Sequence, residues 1–193
     1  MLAKYVKASS DKILFSISGK IPSWISPNQI TSLGLLMSLA AGCAFGSGKI
    51  QLAGFLLLAA GFFDLLDGAY SRYKGQVSKF GAFWDSTVDR YSDLSIMGGI
   101  TLYYARINQP AYVLLSLIAT AGFIMTSYTK ARAENIIKAC DVGLMERPER
   151  VLVLSAGSLI NYLKPTLWIL VILCHQTAIH RIWFTWHEIR YGE

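Results

Sequence analysis

Charge is scarce in this chain. Asp, Glu, Lys and Arg make up 16% of its 193 residues, against 53% hydrophobic. Soluble globular domains carry about a quarter charged residues, so this composition excludes an ordinary one. Cysteine is rarer still. Cys43, Cys140 and Cys174 are isolated and no CxxC spacing occurs, which argues against a zinc site and a disulfide framework. The three histidines, His175, His180 and His187, share one C-terminal stretch without an HExxH pattern. They read as interfacial or packing residues rather than metal ligands. No secretory signal peptide, internal repeat, low-complexity tract or linker is visible, so the reading is of one membrane domain.

What the chain has instead is long apolar runs, each about the ~20 helical residues that cross a bilayer. The first of its segments differs. Lys4, Lys7, Lys12 and Lys20 alternate with Val6, Ile13, Leu14, Phe15 and Ile17, a pattern for an amphipathic helix lying on the membrane surface over residues 1–20. Residues 21–193 then hold six predicted spans, at 28–47, 50–72, 80–107, 110–139, 149–163 and 165–190. Asn28 after Ser26-Pro27 suits a helix start, as do Pro110, Pro148 and Pro165. The expected fold is an all-α integral membrane protein, six transmembrane helices preceded by the surface helix. The longer spans should tilt or project into water.

The charges fall on one side of this plan. All but Lys49, Arg106 and Lys164 of the 18 Lys and Arg residues, and all 12 acidic residues, lie with the N-terminal segment, the 72–79 loop, the 130–150 region and the C-terminus. By the positive-inside rule that side is cytoplasmic, in a multi-pass cell-membrane protein with both termini inside. The net charge of +6 sits at the ends of apolar runs, which points to topology and anionic ligands and not to nucleic acid. A merely structural bundle has no reason to gather its acids, so the chemistry is expected on the same side. Gly34, Ser38, Gly42 and Gly46 place a small residue every four positions along the first span. Such a stripe lets a helix approach closely, either within one subunit or at a dimer seam.

Four aspartates flank the 72–79 loop. Asp64 and Asp67 are three apart at the end of the second span; Asp85 and Asp89 are four apart at the start of the third. Each pair shares a helix face. A short connection makes the two helices antiparallel neighbours, so the faces can meet near the membrane boundary. Gathered carboxylates repel one another, and burial makes their charge costly. Arg72, Lys74 and Lys79 could relieve part of this at a solvated surface, and divalent ions would relieve more. Oxygen-only ligands suit Mg²⁺ or Mn²⁺. Two such ions can clamp a phosphate or pyrophosphate during in-line displacement. Ionisable residues within a span are functional suspects by default. Gly68 and Gly81, on the same stretch, leave room for a nucleotide against the backbone.

The full spacing is D-x2-D-G-x2-S-R-x8-G-x3-D-x3-D over residues 64–89. It closely resembles the signature of the CDP-alcohol phosphotransferase family, departing only at Ser71, where that family usually has Ala. The resemblance implies a donor, a CDP-linked lipid, and two Mg²⁺ or Mn²⁺ ions held by Asp64, Asp67, Asp85 and Asp89. It implies that Asp89 also accepts the proton of the attacking hydroxyl, and that CMP leaves. Gly68, Ser71, Arg72, Ser78 and Gly81 would line the CDP-lipid pocket with Asp67. Asn28 and Thr31 resemble a segment that helps form this pocket, although a helix cap accounts for them equally well. A homodimer is implied as well.

Further stretches bear on the acceptor. Asp85-Ser86-Thr87-Val88-Asp89-Arg90, Ser127-Tyr128-Thr129-Lys130-Ala131-Arg132-Ala133-Glu134 and Glu146-Arg147-Pro148-Glu149-Arg150 resemble segments of the phosphatidylinositol phosphate synthase branch and its archaeal ether-lipid counterpart. A phosphorylated acceptor carries about two negative charges and needs cations beside the carboxylates. Lys130, Arg132, Arg147, Arg150 and Arg181 could supply them, with Arg offering bidentate contacts. Inositol 1-phosphate is the expected acceptor, and glycerol 3-phosphate the alternative. A non-catalytic channel or scaffold is the reading from another class.

Overall fold

The computed structural model describes residues 14–191, and among them every regular element is helical. The helices are α1 (Pro27–Gly46), α2 (Ile50–Tyr73), α3 (Lys79–Arg106), α4 (Pro110–Ala133), α5 (Arg147–Leu159) and α6 (Leu163–Tyr191). The surface helix expected over 1–20 lies mostly outside the described residues. Within them, residues 14–18 are helical, and Leu14 and Ile17 pack on Leu66, Ala69 and Tyr70 of α2.

Local chemistry sets the first helix start. The Ser26 hydroxyl accepts from the Gln29 N–H at 3.4 Å, and the Gln29 side chain accepts from the Ser26 N–H at 2.8 Å. This reciprocal pair, followed by Pro27 in the first turn, starts α1. The cap is therefore Ser26, and Asn28 is left with its side chain uncommitted to capping. Gly48, at φ +77°, takes the left-handed conformation that turns α1 back into α2.

One expectation is corrected here. The fourth span was drawn to residue 139, but α4 stops at Ala133. Residues 134–139 could continue a helix by composition. They form turns on the end of α4 instead, and the chain beyond them is held by α6: Thr177 accepts from the N–H groups of Leu144 and Met145, and Arg181 donates to the Val142 carbonyl at 2.8 Å. Among the described residues, four helices, α1, α2, α4 and α6, are long and apolar enough to cross a membrane. The 28 residues of α3 include Asp85, Asp89, Arg90 and Asp93, which run from its second turn to its middle. The 13 residues of α5 reach about 20 Å, short of the ~30 Å hydrocarbon core.

The small-residue stripe of α1 is used inside the subunit. A Cβ on Gly99 would come 2.1 Å from the Gly42 carbonyl oxygen, and one on Gly42 would come 2.5 Å from that of Ser95, so the α1 and α3 backbones touch. A Cβ on Gly34 would meet Phe63 and Ala60 of α2 only at ordinary contact distance, 3.5 and 3.6 Å. Phe45, Leu57, Met97, Ile100, Leu167 and Leu170 fill the centre of the bundle. Lipid tails are as apolar as these side chains, so close packing rather than loss of water holds such helices together. One end of the bundle carries Arg106, bonded to the Gly46 carbonyl, with Lys164 over the Tyr112 ring. The ends of α2 and α4 and the starts of α3 and α5 meet at the other.

Candidate active site

Asp64 ends up facing α3, where Asp85 and Asp89 stand one turn apart. One carboxylate oxygen from each of these three lies within 4.8 Å of the others. Asp67 is placed beside this group, not in it. It is buried next to Thr31 and feels the charges of Asp85 and Asp64. The expected gathering of four is thus three plus one.

The donor set is all oxygen, which suits a hard divalent cation. The Asp67 Oδ2 and Asp85 Oδ1 atoms are buried and accept no hydrogen bond. Uncompensated buried carboxylate oxygens are costly, and a cation bound between them would offset that cost. These residues therefore fit a divalent metal. Arg147, reaching in from the start of α5, pairs with Asp64 and, at 2.9 Å, with Asp89.

Three hollows converge on the carboxylates. The first is a cavity of about 490 Å³ lined by Asn28, Thr31, Asp67, Gly68, Ser71, Arg72, Ser78, Gly81 and Asp85, with Ser26, Pro27, Gln76, Val77 and Ala82. Every residue expected to meet the CDP-lipid lies on its wall. Ser78 also caps α3, accepting from the Gly81 N–H at 3.0 Å. The segment before α1 is clamped to the C-terminal end of α2. Tyr70 donates to the carbonyl of Pro22 or Ile25, and Lys74 donates to Ser23 at 2.6 Å and to Ile25 at 3.1 Å. Their acceptors are backbone carbonyls, which every residue has, so the sequence held no signal for this clamp.

The second cavity, about 330 Å³, opens beside Asp89. Lys130, Arg147, Arg150 and Arg181 line it with Ser86, Arg90, Ser127, Glu134 and Glu146. Arg132 does not: it is exposed on another face of α4, because residues two apart on a helix diverge. Arg150 is engaged within the wall. It donates to the Phe123 carbonyl at 2.8 Å and to Ser127 at 3.2 Å, and pairs with Asp93 at 3.4 Å. Arg181 donates to Val142, Thr126 and Glu146. Glu146 also accepts from Lys130 at 3.0 Å. Sequence reasoning missed Asp93 and Glu146. Asp93 continues the four-residue spacing of Asp85 and Asp89, and a cluster of cations calls for counter-charges, so both left a signal. The third hollow is an apolar groove between α2 and α5. Leu58, Phe62, Leu65, Val151 and Leu152 line it, and it ends at Asp64 and Pro148.

A membrane-embedded helical bundle whose carboxylates stand between a polar cavity, a cationic cavity and an apolar groove is arranged for transferring a phosphorylated lipid group. The chain belongs to the CDP-alcohol phosphatidyltransferase family, whose model matches residues 24–189. It is an enzyme of that class, which sets aside the channel or scaffold reading. The archaetidylinositol phosphate synthase of Methanothermobacter thermautotrophicus is 37% identical over 167 residues, covering 83% of each chain. The phosphatidylinositol phosphate synthase of Mycobacterium tuberculosis, solved with CDP-DAG bound, superposes with a TM-score of 0.83 at 29% identity, over 91% of this chain and 94% of that one. The same enzyme in complex with manganese and citrate gives 0.80 at 29% identity, over 90% and 88%.

Proposed function

We propose that this enzyme transfers the phosphatidyl-type group of a CDP-linked lipid to the hydroxyl of inositol 1-phosphate, releasing CMP. The observation that carries the acceptor is the cationic cavity: Lys130, Arg147 and Arg181 open beside Asp89, and not beside the cavity that Asn28 and Gly81 line. In this reading the nucleotide occupies the first cavity, against Asn28, Thr31, Asp67, Gly68, Ser71, Arg72, Ser78 and Gly81. The lipid tail follows the apolar groove to Asp64. Asp64, Asp67, Asp85 and Asp89 would hold two Mg²⁺ or Mn²⁺ ions, which neutralise charge on the pyrophosphate. The acceptor oxygen attacks the lipid-side phosphorus, the bond from that phosphorus to the CMP oxygen breaks, and Asp89 takes the hydroxyl proton. The relatives' names support inositol phosphate over glycerol 3-phosphate as acceptor. Competition between the two on purified enzyme tests this. Inositol 1-phosphate is expected to be consumed first at equal low concentration; faster turnover of glycerol 3-phosphate would leave the reaction class and remove the acceptor.

The proposal includes six crossings, with α3 and α5 completing the bundle, residues 1–20 on the membrane surface, and both termini and the site cytoplasmic. Arg106 and Lys164 at the end away from the carboxylates support that orientation. In a background without native cysteines, a cysteine at position 49 should be labelled from outside intact cells and one at position 75 should not. The reverse pattern would invert the protein. A homodimer belongs to the same proposal, and cross-linking in native membranes tests it.

A further inference from the structure

Every cation of the second cavity that could meet an acceptor phosphate already has a carboxylate. Glu146 holds Lys130 and Arg181. Asp93 holds Arg150, which is 1% exposed and also fastened to the Phe123 carbonyl. Arg90, also on this wall, stands 3.8 Å from Asp89 alone. Arg147 differs from all of these, because it pairs with both Asp64 and Asp89, two of the three clustered carboxylates. It is also incompletely bonded. Its Nε is buried and donates to nothing, although the side chain lies on the wall of the acceptor cavity. A buried guanidinium donor without an acceptor is rare in native structures and calls for a partner. Arg147 thus stands between two sites and is fully satisfied by neither.

Competition follows from charge. A divalent ion drawn to Asp64, Asp85 and Asp89 meets the Arg147 guanidinium there first. Once it takes the Asp64 and Asp89 oxygens, Arg147 loses its anions at close range and is left beside a like charge. The nearest compensation is an anion in the second cavity, whose wall it already forms. We propose that Arg147 couples the two sites: it neutralises Asp64 and Asp89 until divalent ions bind, and is then released to hold the phosphate of the acceptor. Metal and phosphorylated acceptor therefore strengthen each other's binding through one side chain. The inference rests on the acceptor reading given above and adds the dependence of that pocket on the metal.

Calorimetric titration of the purified enzyme, with Mn²⁺ and inositol 1-phosphate as probes and without CDP-lipid, tests it by binding alone. In the wild type, inositol 1-phosphate should bind about tenfold more tightly when Mn²⁺ is saturating, and Mn²⁺ should gain the same factor from inositol 1-phosphate, since coupling is reciprocal. Arg147→Gln should lose most of that factor. The same variant should bind Mn²⁺ alone more tightly than the wild type, because the competing cation is gone; a purely structural Arg147 would give weaker metal binding. Arg147→Lys keeps the charge but not the fork that spans two carboxylates, and should retain part of the coupling if the Gln variant does not yield folded protein. If inositol 1-phosphate binds equally well with and without Mn²⁺, or if Arg147→Gln keeps the full factor, the coupling is wrong and the acceptor pocket stands. If it binds under neither condition, the acceptor reading fails and takes this inference with it.

Discussion

Asp89→Asn is expected to abolish turnover while leaving the bundle folded. Asn matches Asp in size but cannot take the hydroxyl proton, and it gives a metal no full charge. Loss of a general base alone costs about 10²–10⁴-fold, and impaired metal binding adds to that. Asp89 is the aspartate of the signature that opens onto the cationic cavity, so a hydroxyl presented from that side meets it first. Its ion pair with Arg147 at 2.9 Å can be replaced by a neutral hydrogen bond to Asn, which is why the fold should survive. CMP release by purified protein measures the rate, and size-exclusion behaviour checks the fold. A rate within a fewfold of wild type would remove Asp89 from the chemistry.

Chelation is expected to have an equally large effect. Activity should fall to background with excess chelator and return with Mg²⁺ or Mn²⁺, because the phosphate charge would otherwise face three clustered carboxylates. Asp64→Ala and Asp67→Ala should weaken CDP-lipid binding as well as rate. The two should differ in a second respect. Asp64 is paired with Arg147, whereas Asp67 stands on the wall of the first cavity beside Thr31, so only Asp64→Ala also disturbs Arg147. Equilibrium binding of a CDP-lipid to each variant separates the contributions. Full activity in excess chelator would end the two-metal reading.

Much of this molecule was legible without coordinates, for local reasons. Long apolar runs have to become helices in a membrane, since backbone groups find no other partners there. The aspartate spacing places Asp64 with Asp67 and Asp85 with Asp89 whatever the rest of the chain does, because helix period alone decides it. The short 74–78 connection then forces the two helix ends together. The residues expected around the nucleotide fall on one cavity for the same reason, being set by two helix ends and one cap.

The basic residues show the other side. Nothing in the spacing of Lys130, Arg147, Arg150 and Arg181 reveals which carboxylate each will meet, since the partners come from α2, α3 and the 134–146 segment. The path of residues 142–145 likewise depended on Thr177 and Arg181, more than 30 residues away. By itself, the sequence determined the helices, the family signature and the side of the bundle on which charge collects, because these follow from periodicity and from the cost of polar groups in lipid. Only the tertiary structure decided that Asp67 stands beside the other three, that Arg150 pairs with Asp93, and that Arg147 lies between the clustered aspartates and the cationic cavity, because ion pairing between helices depends on distances of a few ångströms that no local pattern specifies.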